Sequence, residues 1–256
     1  MRDLAYRPKK STFQDPHGDY GFDNPSGIFV LGGVGLAFWV FALVNAVFGW
    51  WWLAATLGFL GLLPLATLAG YIYSTRRGKF RVWSELLDAL RLRGDEQVLD
   101  MGCGRGAVLG MAAKHLVRGH AFGLDLWNSV DQSGNSPKAT QRNLEVEGVA
   151  QSCTVETGNM MAMPFPDALF DLVVSSLAIH NIRGQAGRLK ALDEAFRVLK
   201  PGGKLVIVDL LPMAGAYAKH LKDKGMIAVN EKPLDWRCWF GLPWVVRLVT
   251  ADKPVL

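Results

Sequence analysis

Between Asn24 and Thr75 the chain carries no charged residue. No other feature restricts the fold so strongly. The apolar part of this stretch, 28–72, would extend about 67 Å as one helix at 1.5 Å per residue, roughly two bilayer cores of about 30 Å each. Gly49 followed by Trp50, Trp51 and Trp52 supplies the break, because Gly loosens a helix and Trp favours the lipid–water boundary. The pattern therefore predicts two spans, 28–48 and 51–73, joined by a tight turn. Gly32, Gly33 and Gly35 are small residues that let helices approach, and Pro64 is a point for a kink in the second span. A secretory signal is a poor fit, since the run starts late, is too long and lacks a small-residue cleavage site.

Charge orients this hairpin. Arg7, Lys9 and Lys10 precede it, and Arg76, Arg77, Lys79 and Arg81 follow it, so the positive-inside rule puts both termini and the remaining domain on the cytoplasmic side of an integral membrane protein. The net charge of +5 favours an anionic partner. Its basic residues gather beside the spans instead of forming a stripe with aromatic stacking partners, which points to a bilayer and not to nucleic acid. Cys103, Cys153 and Cys238 show no paired spacing for zinc or a disulfide framework, and a reducing compartment is the default.

Three regions result: a polar tail over 1–27 without a sustained period, the transmembrane hairpin over 28–73, and a domain over 74–256. The domain opens with Phe80, Trp83, Leu86, Leu87 and Leu90 at helical spacing, an amphipathic helix that either packs on the domain or lies in the headgroups. From Val98 onward, apolar runs at 98–101, 121–125, 153–157, 171–177 and 204–210 alternate with helical patterns near 105–117, 137–148 and 185–199. Alternation of this kind predicts a doubly wound α/β fold with a parallel sheet covered on both faces. Ser136, Pro137 and Gly148 supply the cap, first turn and stop of the middle helix.

The chemistry-bearing segment is VLDMGCGRG, with Asp100 ending the first strand and Gly102, Gly104 and Gly106 in the turn to a helix. Glycines there let a ligand approach the backbone and expose helix N-terminal amides. Gly102, Gly104 and Ala107 also satisfy the dinucleotide pattern, so the loop alone names no cofactor. Asp125, nineteen residues past Gly106, ends the next strand, where a carboxylate can accept bonds from ribose hydroxyls. Cys103 reads as a small loop residue and not as a reactive thiol.

With PFPDALFDLVVSSLAIHNI at 164–182 and RVLKPGGKLVIVDL at 197–210, the order of motifs resembles class I S-adenosylmethionine-dependent methyltransferases, in the type 11 group that includes the ubiquinone and menaquinone C-methyltransferases. The resemblance covers 80–256 and leaves the two spans outside it. It implies a seven-stranded Rossmann-like domain, S-adenosylmethionine as cofactor and S-adenosylhomocysteine as product. It further implies that Asp100 and the backbone of Gly102, Cys103 and Gly104 hold the methionine part, with Gly106 completing the loop, and that Asp125 holds the ribose. Leu126 would cover adenine, with Trp127 either sharing that role or packing. Asn159 and Met160 stand where the family often has Asp and an apolar residue beside adenine; Asn keeps a carbonyl acceptor for the exocyclic amine. Ser175, Ser176 and Leu177 would floor the transfer site, and Pro201, Gly202 and Gly203 would turn into the fifth strand.

His180 is either a general base or a wall of the cofactor pocket. Tyr217, His220 and Asp209 are further candidates by position alone. The sequence has no convergent His, Cys or carboxylate cluster for a metal, and the resemblance expects none. The acceptor expected is a small, membrane-resident, lipid-like or apolar molecule. Alternatives are a tethered enzyme for a soluble substrate, a nicotinamide-dependent oxidoreductase, or a silent membrane adaptor. Against the oxidoreductase, Leu221 stands where a Lys would follow Tyr217 by four positions.

Overall fold

In a computed structural model of the chain, residues 15–23, 25–128 and 131–255 are described. Arg7, Lys9 and Lys10, expected to flank the first span, and Asn24 lie outside the described residues. Two long helices come first, α1 (Pro25–Val47) and α2 (Trp51–Tyr73), both long and apolar enough to cross a membrane. Gly49 makes the reversal at φ +79. The helices interlock through small residues: a Cβ on Gly35 would lie 2.8 Å from the Leu65 side chain, and one on Gly61 2.8 Å from Trp39. Gly33 has open space beside it, so its helix-packing role is not met. α2 runs unbroken through Pro64.

A π-type turn, Ser74–Gly78, carries α2 directly into α3 (Lys79–Leu90). Of the two roles open to this amphipathic helix, packing is the one observed. Phe80, Val82, Trp83, Leu86 and Leu87 are buried, and Arg91 closes the helix in the left-handed conformation. Lys79 does not belong to an open basic collar; it is buried and its Nζ lies 2.7 Å from Asp23 Oδ2. Arg76 and Arg77 are exposed.

The domain alternates β1 (Gln97–Met101), α4 (Ala107–Ala113), β2 (His120–Asp125), α5 (Pro137–Val146), β3 (Cys153–Thr157), β4 (Phe170–Ser176), α6 (Gln185–Val198), β5 (Leu199–Leu210), α7 (Leu211–Asp223), β6 (Ile227–Pro233) and β7 (Val246–Asp252). The seven strands form one sheet in the order β3-β2-β1-β4-β5-β7-β6. β1 to β5 pair in parallel, while β7 runs antiparallel to β5 and β6 antiparallel to β7. The sheet is thus mixed, the Rossmann-like fold expected, with the parallel strands β1 to β5 extended by an antiparallel edge of β7 and β6. Pro201–Gly203 loop out of register between Phe170↔Leu199 and Leu172↔Lys204.

Successive strand residues face opposite sides, and each side has its own core. Val98, Val174, Val206 and Val208 meet α3 and α4. Leu99, Val173, Leu205 and Ile207 meet α6 and α7. Strand order reverses between β1 and β4, which opens a crevice at their carboxyl ends, the usual ligand position of such sheets.

Residues 15–23, expected as part of a flexible or surface-bound tail, lie as a strap against the domain. Glu147 Oε1 accepts from His17 N and Gly18 N at 2.7 and 2.8 Å. Tyr20 is buried against Phe80, and Arg105 Nη2 reaches Asp19 Oδ2 at 2.9 Å. Its partners lie more than 50 positions away, beyond the reach of any periodicity.

Candidate active site

β1 ends in Asp100, and the chain must then turn sharply to start α4. Gly102 makes that turn at φ +79, and a Cβ there would collide with that of Ala178. The loop's own amides are held within the domain. Gly102 N and Cys103 N donate to Leu124 O at 2.8 and 3.2 Å, and Gly104 N donates to Asp125 Oδ2 at 2.8 Å. Arg105 N donates to Gln132 Oε1 and Gly106 N to Cys103 O. The amides from Gly102 to Gly106 are thus already engaged.

What the site offers instead is acceptors. Both carboxylate oxygens of buried Asp100 lack a hydrogen-bond partner. Burial pushes this carboxyl up to about 7; the Asp125 charge adds to the rise, and the Leu109 amide, outside hydrogen-bond geometry, opposes it. Asn135 Oδ1 is a second buried orphan acceptor. Both residues line a cavity of about 840 Å³, toward the upper end of the roughly 300–1,000 Å³ usual for small-molecule sites. An unpaired buried carboxylate is costly and is relieved by a cation that donates hydrogen bonds. An ammonium-bearing sulfonium cofactor meets that demand, whereas a pyrophosphate would be repelled.

The other expected residues divide. Gly102, Cys103, Gly104, Asp125, Leu126, Asn159, Met160, Ser176, Leu177 and His180 line the same cavity. Asp125 is also a strut of the loop: besides Gly104 N, it accepts from Trp127 N at 2.6 Å and Asn135 Nδ2 at 3.3 Å. Asn159 Oδ1 already accepts from Met161 N at 2.8 Å, so one of its two lone pairs is engaged. Trp127, Gly106 and Ser175 stand outside the cavity wall. The Trp127 indole donates to Thr157 Oγ1, a Cβ on Gly106 would press on Thr140, and Ser175 Oγ donates to Met101 O. Burial raises the Cys103 thiol well above its ordinary range, which fits a packing role.

His180 sits in a single turn after β4, and the end of β5 comes up beneath it. Asp209, fully buried, accepts from His180 N at 3.0 Å and pairs with His180 Nδ1 at 2.6 Å. It also accepts from Leu210 N and from the Tyr217 hydroxyl, whose pKa burial raises. An ionised Asp209 can only accept, so Nδ1 carries the proton and Nε2 is the ring nitrogen that can take one. His220 belongs elsewhere, bonded to Asp193 Oδ1 at 2.8 Å.

Several cavity residues have no counterpart in the sequence reading. Asp23 comes from the strap, Tyr71 from the last turn of α2, Lys79 and Trp83 from α3, and Phe240 from the segment between β6 and β7. The Trp83 indole donates to Ser176 Oγ at 2.9 Å and so ties α3 to the cavity floor. No motif joins residues so far apart; only the composition of the hairpin hints that its end lies near the domain.

The fold is the Rossmann-like fold of methyltransferases. Residues 99–207 match the family model described as a methyltransferase domain. The ubiquinone/menaquinone biosynthesis C-methyltransferase of Ruegeria sp. (strain TM1040) is 33% identical over 147 residues, 57% of this chain and 55% of that protein. The demethylmenaquinone methyltransferase of Lactiplantibacillus plantarum is 34% identical over 134 residues, 52% of this chain and 53% of that protein. The chain spans about half the length of the first such relatives. In fold it is similar to an S-adenosylmethionine-dependent methyltransferase from Aquifex aeolicus, with TM-score 0.53, 20% identity and coverage of 68% of this chain and 89% of that one. It is likewise similar to the geranyl diphosphate C-methyltransferase of Streptomyces coelicolor A3(2), with TM-score 0.55, 16% identity and coverage of 72% and 82%.

Proposed function

We propose that this chain is a membrane-anchored enzyme that methylates a small, lipid-like or apolar acceptor with S-adenosylmethionine, from a domain on the cytoplasmic side. The observation that carries the reading is the shared wall of the cavity. Asp100 and the glycine loop stand at one part of it, and Tyr71, from a helix apolar enough to cross a bilayer, stands at another. The quinone-biosynthesis names of the relatives support an acceptor of this class.

The bound cofactor supplies an activated methyl group on sulfonium. Asp100 holds the methionine ammonium, with the Gly102–Gly104 backbone as its cradle. Asp125 keeps the loop in shape and offers its remaining lone-pair capacity to the ribose, while Leu126, Asn159 and Met160 border adenine. Ser176 and Leu177 form the floor. His180 accepts the acceptor's proton at Nε2, and Asp209 is its positioning residue through Nδ1. Trp83 and Phe240 give the acceptor side an apolar, water-excluding surface, and alignment there supplies most of the acceleration. Among the described residues no group of three or more His, Cys, Asp and Glu could hold a metal ion.

Calorimetry on the full chain in mild detergent tests the cofactor part. S-adenosylhomocysteine should bind, Asp125→Ala should weaken it by roughly 1.5–3 kcal/mol, and His180→Gln should keep the affinity while lowering turnover. A preference for NAD would reject the assignment.

A further inference from the structure

The segment between β6 and β7 is unusually aromatic, with Trp236, Trp239, Phe240, Leu242 and Trp244 within nine residues. Trp236, Leu242 and Trp244 expose 59%, 55% and 59% of their surface, an apolar patch that a water-facing loop does not need. The segment is not loose. Its two charges, Asp235 and Arg237, pair with each other at 2.6 Å, and Arg237 turns inward onto Glu85 of α3 with Nη1–Oε1 and Nη2–Oε2 at 2.6 and 2.9 Å. Phe240 N donates to Ser74 Oγ at 3.1 Å. Trp236 stacks on Tyr73 at 5.1 Å and 18°.

Its position along α2 is the decisive point. Gly241, at φ +83, is pressed so closely to the helix that a Cβ on it would strike Thr67 O, and a Cβ on Gly70 would lie 3.3 Å from Gly241 Cα. Thr67 is six residues before Tyr73, the last residue of α2, which is about 9 Å of helix axis. If α2 spans a bilayer, this tip stands beside lipid-level helix and not below it. We infer that residues 236–244 form a third membrane contact, seated in the interfacial layer of the bilayer against α2, with lipid as the partner of Trp236, Leu242 and Trp244. Lipid fits because the patch continues the apolar surface of α2, presents no outward charge, and carries the Trp residues that suit the headgroup boundary. The inner side of the same segment is Phe240, edge-on to Tyr71 at 5.9 Å, and both rings line the cavity. The same segment therefore touches the cavity on its inner side and, on this inference, lipid on its outer side.

This inference rests on the reading of α1 and α2 as spans, so the test scores the two separately. The full chain, with Cys153→Ser to silence the half-buried thiol, is reconstituted in vesicles of phosphatidylcholine doped with phosphatidylglycerol. An environment-sensitive fluorophore is attached after Leu242→Cys, Leu63→Cys or Val117→Cys, positions exposed by 55%, 72% and 89%. Lipids carrying a nitroxide near the carbonyl end of the acyl chain should quench the Leu242 probe several-fold more than the Val117 probe, and deeper nitroxides should quench the Leu63 probe. Trp244→Cys provides a second site if Leu242→Cys does not fold, and is expected to behave as Leu242 does. Quenching at Leu63 with both loop probes indistinguishable from Val117 overturns the third contact and leaves the hairpin standing. Absence of quenching at all three positions overturns both.

Discussion

Asp100 concentrates the argument at the scale of single residues. A carboxylate with two unpaired buried oxygens is a poor choice for stability and a good one for a cationic ligand. Its raised pKa sets signs that can be checked. The folded state holds this proton more tightly than the unfolded chain, so the cofactor-free protein loses stability as pH rises from the ordinary carboxylate range through about 7. Affinity runs the other way, because only the ionised form attracts an ammonium. Binding of S-adenosylmethionine should therefore strengthen between pH 5 and 7, where its ammonium stays charged, approaching tenfold per unit at the acid end, and Asp100→Asn should bind more weakly with a flat profile over that range. Calorimetry across that range checks it, and a wild-type profile as flat as that of the variant would remove Asp100 from the cofactor site. Spacing singled out Asp100 and Asp125, at the ends of β1 and β2, whereas Ser176 came only with the resemblance and His180 by its place just after β4. Spacing could not tell that Asp125 would be half-committed to Gly104 and Trp127, or that Asp209 rather than His220 would meet His180, since these depend on which atoms the sheet brings together.

At the scale of elements, periodicity read the hairpin and the strands β1 to β5 because each buries an apolar face or run long enough to dominate its window. It missed β6 and β7, whose antiparallel pairing places half-exposed residues such as Asn230, Glu231 and Lys232 in the ladder. The same blindness hid the strap and the aromatic segment, which hold together through partners far off in sequence. The hairpin makes its own prediction. If α1 and α2 both cross, they return the chain to its starting side, and the exposed Arg76 and Arg77 favour the cytoplasm, so reporters fused before residue 1 and after residue 256 should both report the cytoplasmic side. A C-terminal reporter on the far side would mean an odd number of crossings and would detach the domain from the proposed orientation.

Over the whole molecule, the helical hairpin and the domain are not separable parts. The strap reaches Gln132, whose Nε2 donates to Tyr20 O and Asp23 Oδ1 while its Oε1 accepts from Arg105 N of the glycine loop. Tyr71 of α2 and Lys79 of α3 line the cavity beside the loop residues. Such continuity is what an enzyme drawing its acceptor from a bilayer requires, and a simple tether does not need it. The most direct measurement follows from that. Membranes containing the full chain are incubated with S-adenosylmethionine labelled on the methyl group, beside membranes lacking it, and label is partitioned between organic and aqueous phases. The account predicts chain-dependent label in an organic-phase product, lost with Asp100→Asn. Chain-dependent label confined to water-soluble products would contradict it.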